Sequence, residues 1–254
     1  MKILAVTKTD ARLLPLAERC KTSWDYWHPD IPMHIVNSDD WRPYLDEIHQ
    51  STRYGVPPMV IGLFYAYQKM MVENYDLLIY IDADTVVTGR CEEMIIGDYD
   101  IAVSHCYKDD TNYFNAGVWA SKDLDFIKDF YYSHNIPEED NNLFMQVFNF
   151  YKTRCNIKIL DNKDSGVWYN QCSREWWNRL KVIDNKLYTP DRQIKILHWA
   201  GGNGQPLNDR MSCSLFSDEV KQWLNKITNG TTFTDHDGVK FGNFMKDYYR
   251  LEEV

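Results

Sequence analysis

Three absences narrow the class of protein that this sequence can encode. Its six cysteines include no CxxC pair, which argues against a thiolate zinc site and favours reduced thiols in a reducing compartment. No stretch approaches the roughly 18 consecutive apolar residues of a membrane-spanning helix, and the apolar stretch before Lys8 is too short for a signal-peptide core. Basic residues number 28 against 37 acidic ones, too few for binding nucleic acid through its phosphates. We therefore expect a cytoplasmic protein with no transmembrane segment and no nucleic-acid partner.

The composition of the chain is that of a globular protein with many aromatic residues. Its 254 residues, 44% hydrophobic and 26% charged, are typical of a single folded α/β domain, here residues 1–254, with a less regular portion from about residue 205. The 9 Trp, 17 Tyr and 11 Phe residues suit either of two uses. They can fill an ordinary core, or they can form flat apolar platforms for sugar rings.

Short apolar runs alternate with helical patterns along the chain. Strands are predicted at residues 2–8, 33–37, 77–81, 101–105, 117–121, 157–160 and 194–197. Helices are predicted at residues 10–27, 57–74, 123–133, 138–151, 215–227 and 243–251. Because strands and helices alternate, we expect an α/β fold with a single, mostly parallel, twisted sheet that is flanked by helices.

Two carboxylates follow the most apolar of these strands. Asp82 and Asp84 come directly after Leu77–Ile81, at the carboxyl end of the strand, which is where open α/β sheets bind ligands. In an extended segment, residues two apart point the same way, so that both carboxylates can reach one cation. Carboxylate oxygens favour Mg²⁺ or Mn²⁺ over softer metals. Such an ion neutralises a diphosphate and activates it as a leaving group.

A histidine and a glycine-rich segment follow the last predicted strand. His198 stands at the end of that strand, and an imidazole added to two carboxylates shifts the preference from Mg²⁺ towards Mn²⁺. Gly201 and Gly202 allow the backbone to approach a ligand closely. We therefore predict that His198 completes a metal site with Asp82 and Asp84.

Two further segments are candidates for a sugar pocket. Tyr113–Val118, with the sequence YFNAGV, has small residues after two aromatic residues and is predicted to be a turn. Glu138–Asn142, with the sequence EEDNN, opens a predicted helix. Its acidic residues either complement the helix dipole or include a carboxylate, Asp140, that contacts a sugar hydroxyl or acts as a base.

These segments, in this order, resemble those of the glycogenin-like family of glycosyltransferases, which includes galactosyltransferases of lipopolysaccharide synthesis. The segment YDLLIYIDADTVV is similar to the family's metal strand, YFNAGVWA to its FNAGV segment, and EEDNNLFMQVF to the helix that begins with its Asp-Gln pair. VWYN and ILHWAGG resemble two later motifs, so that the likeness covers roughly residues 2–207. In three places the sequence departs from the pattern. Asn141 stands where the family has glutamine, and Gln205 precedes Pro206 where the family has lysine. The basic residue on the helix before the metal strand is Lys69, about one helical turn nearer to the motif than in the family.

The resemblance implies a GT-A fold, a nucleotide-sugar donor such as a UDP-sugar, a glycan or other hydroxyl acceptor, a Mn²⁺ or Mg²⁺ cofactor, and retention of the anomeric configuration. It implies the following roles: Asp82, Asp84 and His198 as metal ligands; Thr7, Lys8, Lys69, Ala83, Asn115, Ala116, Gly117, Gly201 and Gly202 in donor binding; and Asp140 and Asn141 in catalysis. If the reaction inverts the configuration, Asp140 or Glu139 is the expected base.

Two other functions fit part of the sequence. The segment IYIDADTVV also resembles the opening of a haloacid-dehalogenase-like phosphatase, in which Asp82 is the nucleophile. Against this, about 75 residues precede the strand, and the acidic pair Asp109-Asp110 follows too soon for that architecture. The other alternative is a sugar-binding module without catalytic activity, in which the aromatic rings are the binding platforms.

Overall fold

The structure is a computed structural model that describes residues 1–9, 14–37, 40, 58–105, 112–135, 138, 140–161, 166–169, 174–199 and 216–229. The predictions for Gly201, Gly202 and the helix at 243–251 fall outside these residues, as do Gln205 and the acidic pair Asp109-Asp110. The predicted base Glu139 also falls outside them.

The described strands and helices follow the predicted alternation. The strands are β1 (Ile3–Thr9), β2 (Met33–Asn37), β3 (Leu77–Ile81), β4 (Thr85–Val87), β5 (Ile101–His105), β6 (Phe114–Ser121), β7 (Ile157–Ile159), β8 (Val167–Trp168), β9 (Lys181–Ile183), β10 (Lys186–Tyr188), β11 (Gln193–Ile194) and β12 (Ile196–His198). The helices are α1 (Leu14–Trp27), α2 (Pro58–Glu73), α3 (Glu92–Ile95), α4 (Leu124–Ser133), α5 (Asp140–Tyr151) and α6 (Asp218–Ile227), with a 3₁₀ helix at Arg174–Arg179. None of the described helices has both the length and the apolar composition needed to cross a bilayer.

The central sheet has six strands in the order β2-β1-β3-β6-β5-β7. All neighbouring pairs are parallel except those that involve β6, which runs antiparallel to β3 and to β5. The prediction of a mostly parallel sheet is therefore confirmed. The strand β3 is buried along its whole length, as its uninterrupted apolar sequence indicates.

Helices cover both faces of this sheet. On one face, Leu78 and Tyr80 of β3 belong to a core cluster with residues of α2, α4 and α5. On the other face, Leu77, Ile79 and Ile81 pack in a second cluster with residues of α1 and α3. The alternation follows from the period of two along a strand, which sends successive side chains to opposite faces.

Two smaller sheets accompany the central sheet, where the sequence predicts only one sheet. A four-stranded sheet has the order β8-β11-β10-β9, and β12 pairs with β4 in a two-stranded ribbon. The predicted strand 194–197 is divided between them at Lys195, whose backbone N–H donates to the carbonyl of Trp168 at 2.7 Å. The ammonium group of Lys195 donates to the carbonyl of Arg90 at 2.6 Å. These tertiary contacts, which local sequence does not encode, redirect the chain.

The FNAG segment is part of a strand and not the predicted turn. Asn115, Ala116 and Gly117 lie in β6, and the register of β6 against β5 shifts between Val103 and His105. Val103 pairs with Trp119 and His105 with Phe114, so that four residues of β6 stand opposite one residue of β5. Such an irregularity bends a strand and redirects its side chains. Here it brings the FNAG segment against the end of β3.

Candidate metal centre

The two carboxylates lie in a turn between β3 and β4, which corrects the prediction that they follow the alternation of an extended strand. The chain turns at Ala83 and Asp84. The hydroxyl of Thr85 donates to the carbonyl of Asp82 at 2.8 Å, and the N–H of Asp82 donates to the carbonyl of Gly117 at 2.7 Å.

The β12–β4 ribbon places His198 next to this turn. His198 pairs with Thr85 in the antiparallel ladder, and the N–H of Trp199 donates to the carbonyl of Asp84 at 3.0 Å. His198 Nε2 then lies 3.2 Å from Asp84 Oδ1 and 3.7 Å from Asp82 Oδ2. Asp82, Asp84 and His198 each offer a ligand atom, and these three atoms lie within 4.8 Å of one another. Two carboxylates and one imidazole at this spacing fit a hard or borderline divalent ion.

The charges of the site stabilise one another in the absence of a metal ion. Burial lowers the pKa of His198, but Asp84 raises it by more, so that this pKa lies above its usual value. Burial raises the pKa of Asp84, but the charge and hydrogen bond of His198 lower it by more. Both shifts favour the ionised pair.

Lys8 lies in the same site. Its ammonium group is 2.7 Å from Asp82 Oδ1, and 14% of its side chain is exposed. Burial lowers the pKa of Lys8, but Asp82, Tyr80 and Asp140 together raise it above its usual value. Within the donor site, the resemblance implies that Lys8 and Thr7 lie near the nucleotide base; the contact of Lys8 with Asp82 was not predicted from the sequence. No local sequence pattern indicates this contact, because it depends on β1 and β3 being neighbours in the sheet. Thr7, the other residue assigned to the base, is fully buried.

Gly117 leaves room for Asp82. A Cβ atom at this position would lie 2.0 Å from Asp82 Oδ2 and 2.5 Å from Asp82 Cγ, well inside van der Waals contact. The N–H of Gly117 donates to Asn115 Oδ1 at 2.7 Å, and Asn115 is almost fully buried. The FNAG segment therefore borders the carboxylate pair directly, and glycine is required there by space.

The start of α5 connects with both the FNAG segment and a buried histidine. Asn141 Oδ1 accepts the N–H of Ala116 at 2.8 Å. Asp140 Oδ1 lies 3.3 Å from Nε2 of His134, which is buried, while 42% of the Asp140 side chain is exposed. Burial raises the pKa of Asp140, but His134 and, more weakly, Lys8 lower it by more, which keeps this carboxylate ionised. His134 was not predicted as a partner of Asp140, because the sequence between the two residues has no recognisable pattern.

Lys69 lies away from this site, which corrects its assignment to the donor. It forms an ion pair with Glu73 one helical turn later, and the carbonyl of Glu73 accepts a hydrogen bond from Lys2 Nζ at 2.8 Å. Lys2 precedes β1, so that Lys69 and Glu73 lie towards the amino end of that strand. The carboxylates lie beyond the opposite end of the neighbouring parallel strand β3. The sequence places Lys69 on the correct helix, but the direction in which that helix packs decides which end of the sheet it reaches.

Comparison with solved structures identifies the fold. Over 89% of this chain, it superposes on the glycosyltransferase GlyE of Streptococcus pneumoniae with a TM-score of 0.53 at 15% identity. The bifunctional glycosyltransferase WbbM matches over 90% of this chain with a TM-score of 0.51 at 11% identity. A glycosyltransferase involved in glycosylation of the major capsid of PBCV-1 matches over 80% of this chain and 96% of its own, with a TM-score of 0.51 at 10% identity.

These comparisons establish a GT-A glycosyltransferase fold and leave the activity to be argued from the site. The chain spans 63% of the length of the GlyE chain and 51% of that of the WbbM chain. No protein-family model and no curated protein sequence matches it significantly.

Proposed function

We propose that this protein is a metal-dependent glycosyltransferase, which transfers a sugar from a nucleoside-diphosphate sugar to a hydroxyl group of a glycan or other acceptor. One observation carries the proposal: Asp82, Asp84 and His198, from two distant parts of the sequence, converge at the carboxyl end of β3 within a glycosyltransferase fold. That edge of an α/β sheet is where phosphorylated ligands bind.

Asp82, Asp84 and His198 hold the metal ion in this proposal. The nitrogen ligand favours Mn²⁺ over Mg²⁺. When bound, such an ion neutralises the diphosphate and acts as a Lewis acid towards the departing phosphate oxygen. Because the net charge of the chain is −9, a cation between the protein and a diphosphate also removes a general electrostatic obstacle to donor binding.

The donor sugar lies, in this proposal, between the FNAG segment and the start of α5. The contact of Gly117 with Asp82 supports a place for Asn115, Ala116 and Gly117 beside the sugar. Asp140 then contacts the sugar from α5, and its lowered pKa suits a carboxylate that stabilises positive charge on the ring. Asn141 supports this arrangement through its bond to Ala116.

The finer assignments follow the sequence resemblance. We propose a UDP-sugar as donor and retention of configuration, with the acceptor attacking on the side of the leaving group and the leaving phosphate accepting its proton. Lys8 and Ala83 remain candidates for contacts with the nucleotide, and Gly201 and Gly202 for contacts with the diphosphate. Thr7 is fully buried and is left out of the proposal. Lys69 is no longer part of the proposal.

A thermal-shift experiment with nucleotides and nucleotide sugars, each with and without Mn²⁺, tests the proposal. A ligand that binds only the native state at 100 times its Kd stabilises it by about 2.7 kcal/mol. We expect Mn²⁺-dependent stabilisation by UDP that is lost in Asp84→Ala and kept in the control Asp218→Ala, whose carboxylate is 91% exposed on α6.

Two results would overturn the proposal. One is that no nucleotide stabilises the protein; the other is that stabilisation is indifferent to Mn²⁺ and to Asp84. Mg²⁺-dependent hydrolysis of p-nitrophenyl phosphate that requires Asp82 would instead support the phosphatase alternative.

A further inference from the structure

The candidate metal centre already contains a positive charge that belongs to the protein. Lys8 Nζ lies 2.7 Å from Asp82 Oδ1, while Asp82 Oδ2 faces His198 Nε2 at 3.7 Å. The two oxygens of Asp82 are thus engaged from two sides. The ammonium group stands next to the position that a metal ion would occupy.

The fold holds Lys8 in this place. β1 and β3 are parallel neighbours whose register pairs Val6 with Tyr80, and two residues further along the same register Lys8 stands beside Asp82. Gly62 of α2 packs closely against Lys8 and Tyr80, since a Cβ at this glycine would lie 3.0 Å from Lys8 Cβ and 2.7 Å from the hydroxyl of Tyr80. The position of Lys8 is therefore determined by sheet register and by close packing.

An ammonium group and a divalent cation cannot share one carboxylate at contact distance without strong repulsion. In a partly buried site this repulsion is larger than in water, because the effective dielectric constant is lower. A metal ion that binds Asp82 must therefore displace Lys8 from it or bind more weakly. The displaced ammonium group then needs another anion, because an unpaired buried charge is costly.

We propose that Lys8 is an internal counter-cation of Asp82, which competes with the divalent ion and makes tight metal binding depend on an anionic ligand that takes over the ammonium group. The inference rests on the proposed function, because it takes Asp82 to be a metal ligand. In the absence of donor, Lys8 neutralises the carboxylate. When the ion and a diphosphate enter together, the diphosphate supplies the anion that Lys8 loses.

Titration of the nucleotide-free protein with Mn²⁺, followed by electron paramagnetic resonance of the free ion, tests the competition. The variants are Lys8→Met, which keeps the length of the side chain without its charge, and Lys8→Gln, which keeps a hydrogen-bond donor. Lys2→Met is the matched control, because it removes the same charge at the opposite end of β1, where Lys2 Nζ is 3.9 Å from Glu73.

We expect both Lys8 variants to bind Mn²⁺ about tenfold more tightly than the wild type, because a neighbouring cation lowers the proton affinity of a carboxylate by about tenfold or more, and it opposes a metal ion by the same charge repulsion. Lys2→Met should match the wild type. Two variants are needed because Lys8→Met leaves Asp82 without a donor and is the more liable to unfold.

The outcomes separate this inference from the proposed function. If the wild type binds Mn²⁺ and both Lys8 variants bind it equally or more weakly, the inference is wrong while the metal site stands. If neither the wild type nor the variants bind Mn²⁺ without nucleotide, this inference is overturned, while the proposed function is still decided by the thermal-shift experiment with nucleotides.

A second titration in the presence of UDP tests the coupling. Coupling between two ligands is reciprocal, so the factor by which UDP tightens Mn²⁺ binding equals the factor by which Mn²⁺ tightens UDP binding. We expect this factor to be about tenfold smaller in Lys8→Gln than in the wild type, since there is no ammonium group to transfer. An unchanged factor would show that the diphosphate does not take over Lys8, and would overturn that part of the inference.

Discussion

Gly117 is the residue at which space around the carboxylates is most restricted. The Cβ of any other residue there would lie 2.0 Å from Asp82 Oδ2. The backbone N–H of Asp82 also donates a hydrogen bond to the carbonyl of Gly117. Movement of either backbone would break this hydrogen bond, which extends the pairing of β3 with β6. The glycine of the FNAG segment is thus explained by the carboxylate that it faces.

We predict that Gly117→Ala displaces Asp82 and weakens Mn²⁺ binding at least about tenfold, with a loss of about 1–3 kcal/mol in the free energy of unfolding from overpacking. Metal titration and chemical denaturation measure the two effects. Gly89→Ala is the matched control, because the atoms nearest to its Cβ would belong to the side chains of Gln193 and Lys195 and not to the carboxylates. Equal Mn²⁺ affinity in Gly117→Ala and the wild type would show that the carboxylate can move without consequence.

At the scale of elements, α1 and the residue that follows it are hydrogen-bonded to β4 and to the segment after β4, next to the candidate metal centre. Val87 N donates to the hydroxyl of Ser23 at 2.9 Å. His28, fully buried after the end of α1, stacks on Trp24 with ring centroids 4.0 Å apart. Its Nε2 accepts the N–H of Cys91 at 3.1 Å, which requires a ring without a proton on that nitrogen.

The pH dependence of the free energy of unfolding should reflect the titration of His28. Burial, and next the charge of Arg90, lower the pKa of His28 to about 4 from 6.5. The folded state thus favours the neutral ring, and the unfolded state binds more protons between these values. The resulting stability is fully present above pH 6.5 and is lost as the pH falls towards 4.

We predict that the wild type loses up to about 3 kcal/mol through His28 across this window, at about 1.4 kcal/mol per unit of pKa. His28→Gln should show a correspondingly smaller loss, because glutamine does not titrate. Urea denaturation from pH 7 to pH 4 gives the free energy of unfolding of both proteins. The contribution of the carboxylates cancels in the difference between the wild type and His28→Gln. Identical pH profiles would show that His28 does not contribute.

At the scale of the whole molecule, the β12–β4 ribbon joins two hydrophobic clusters. Val87 and Ile196 belong to the second core cluster, which lies on the face of the central sheet covered by α1 and α3. Val86 and Leu197 face a third cluster, which includes Leu224 of α6. The strand that carries His198 is therefore supported from both sides, and the geometry of the metal centre depends on the packing of α6.

We predict that Leu224→Ala, at a fully buried position, costs about 2–5 kcal/mol through the cavity that it creates. Ile183→Ala is the matched control on β9, where half of the side chain is exposed and the cost should be well under half of that. Because the ribbon links the clusters, tryptophan fluorescence and far-ultraviolet circular dichroism should report one coincident transition. An early fluorescence transition in Leu224→Ala would instead show that the third cluster unfolds separately.

Much of the fold and of the site could be predicted from the sequence because the signals are local. The uninterrupted apolar run Leu77–Ile81 indicates a strand that is buried on both faces of the sheet. Carboxylates directly after such a strand lie at its carboxyl end, where ligands bind. The same reasoning identified His198 at the end of a strand. These residues were predicted to converge, and their ligand atoms lie within 4.8 Å of one another.

What only the tertiary structure decided are the contacts between segments distant in sequence. The predicted last strand is divided because Lys195 bonds to Trp168 and Arg90, and Lys69 lies at the far end of the sheet because of the direction in which α2 packs. Lys8 meets Asp82 because β1 and β3 are neighbours in register. The sequence by itself determined which groups are candidates for binding a metal ion, since hydrophobic period and residue type are local properties. The packing of the chain decided which charges face each other, because that depends on strand order and register.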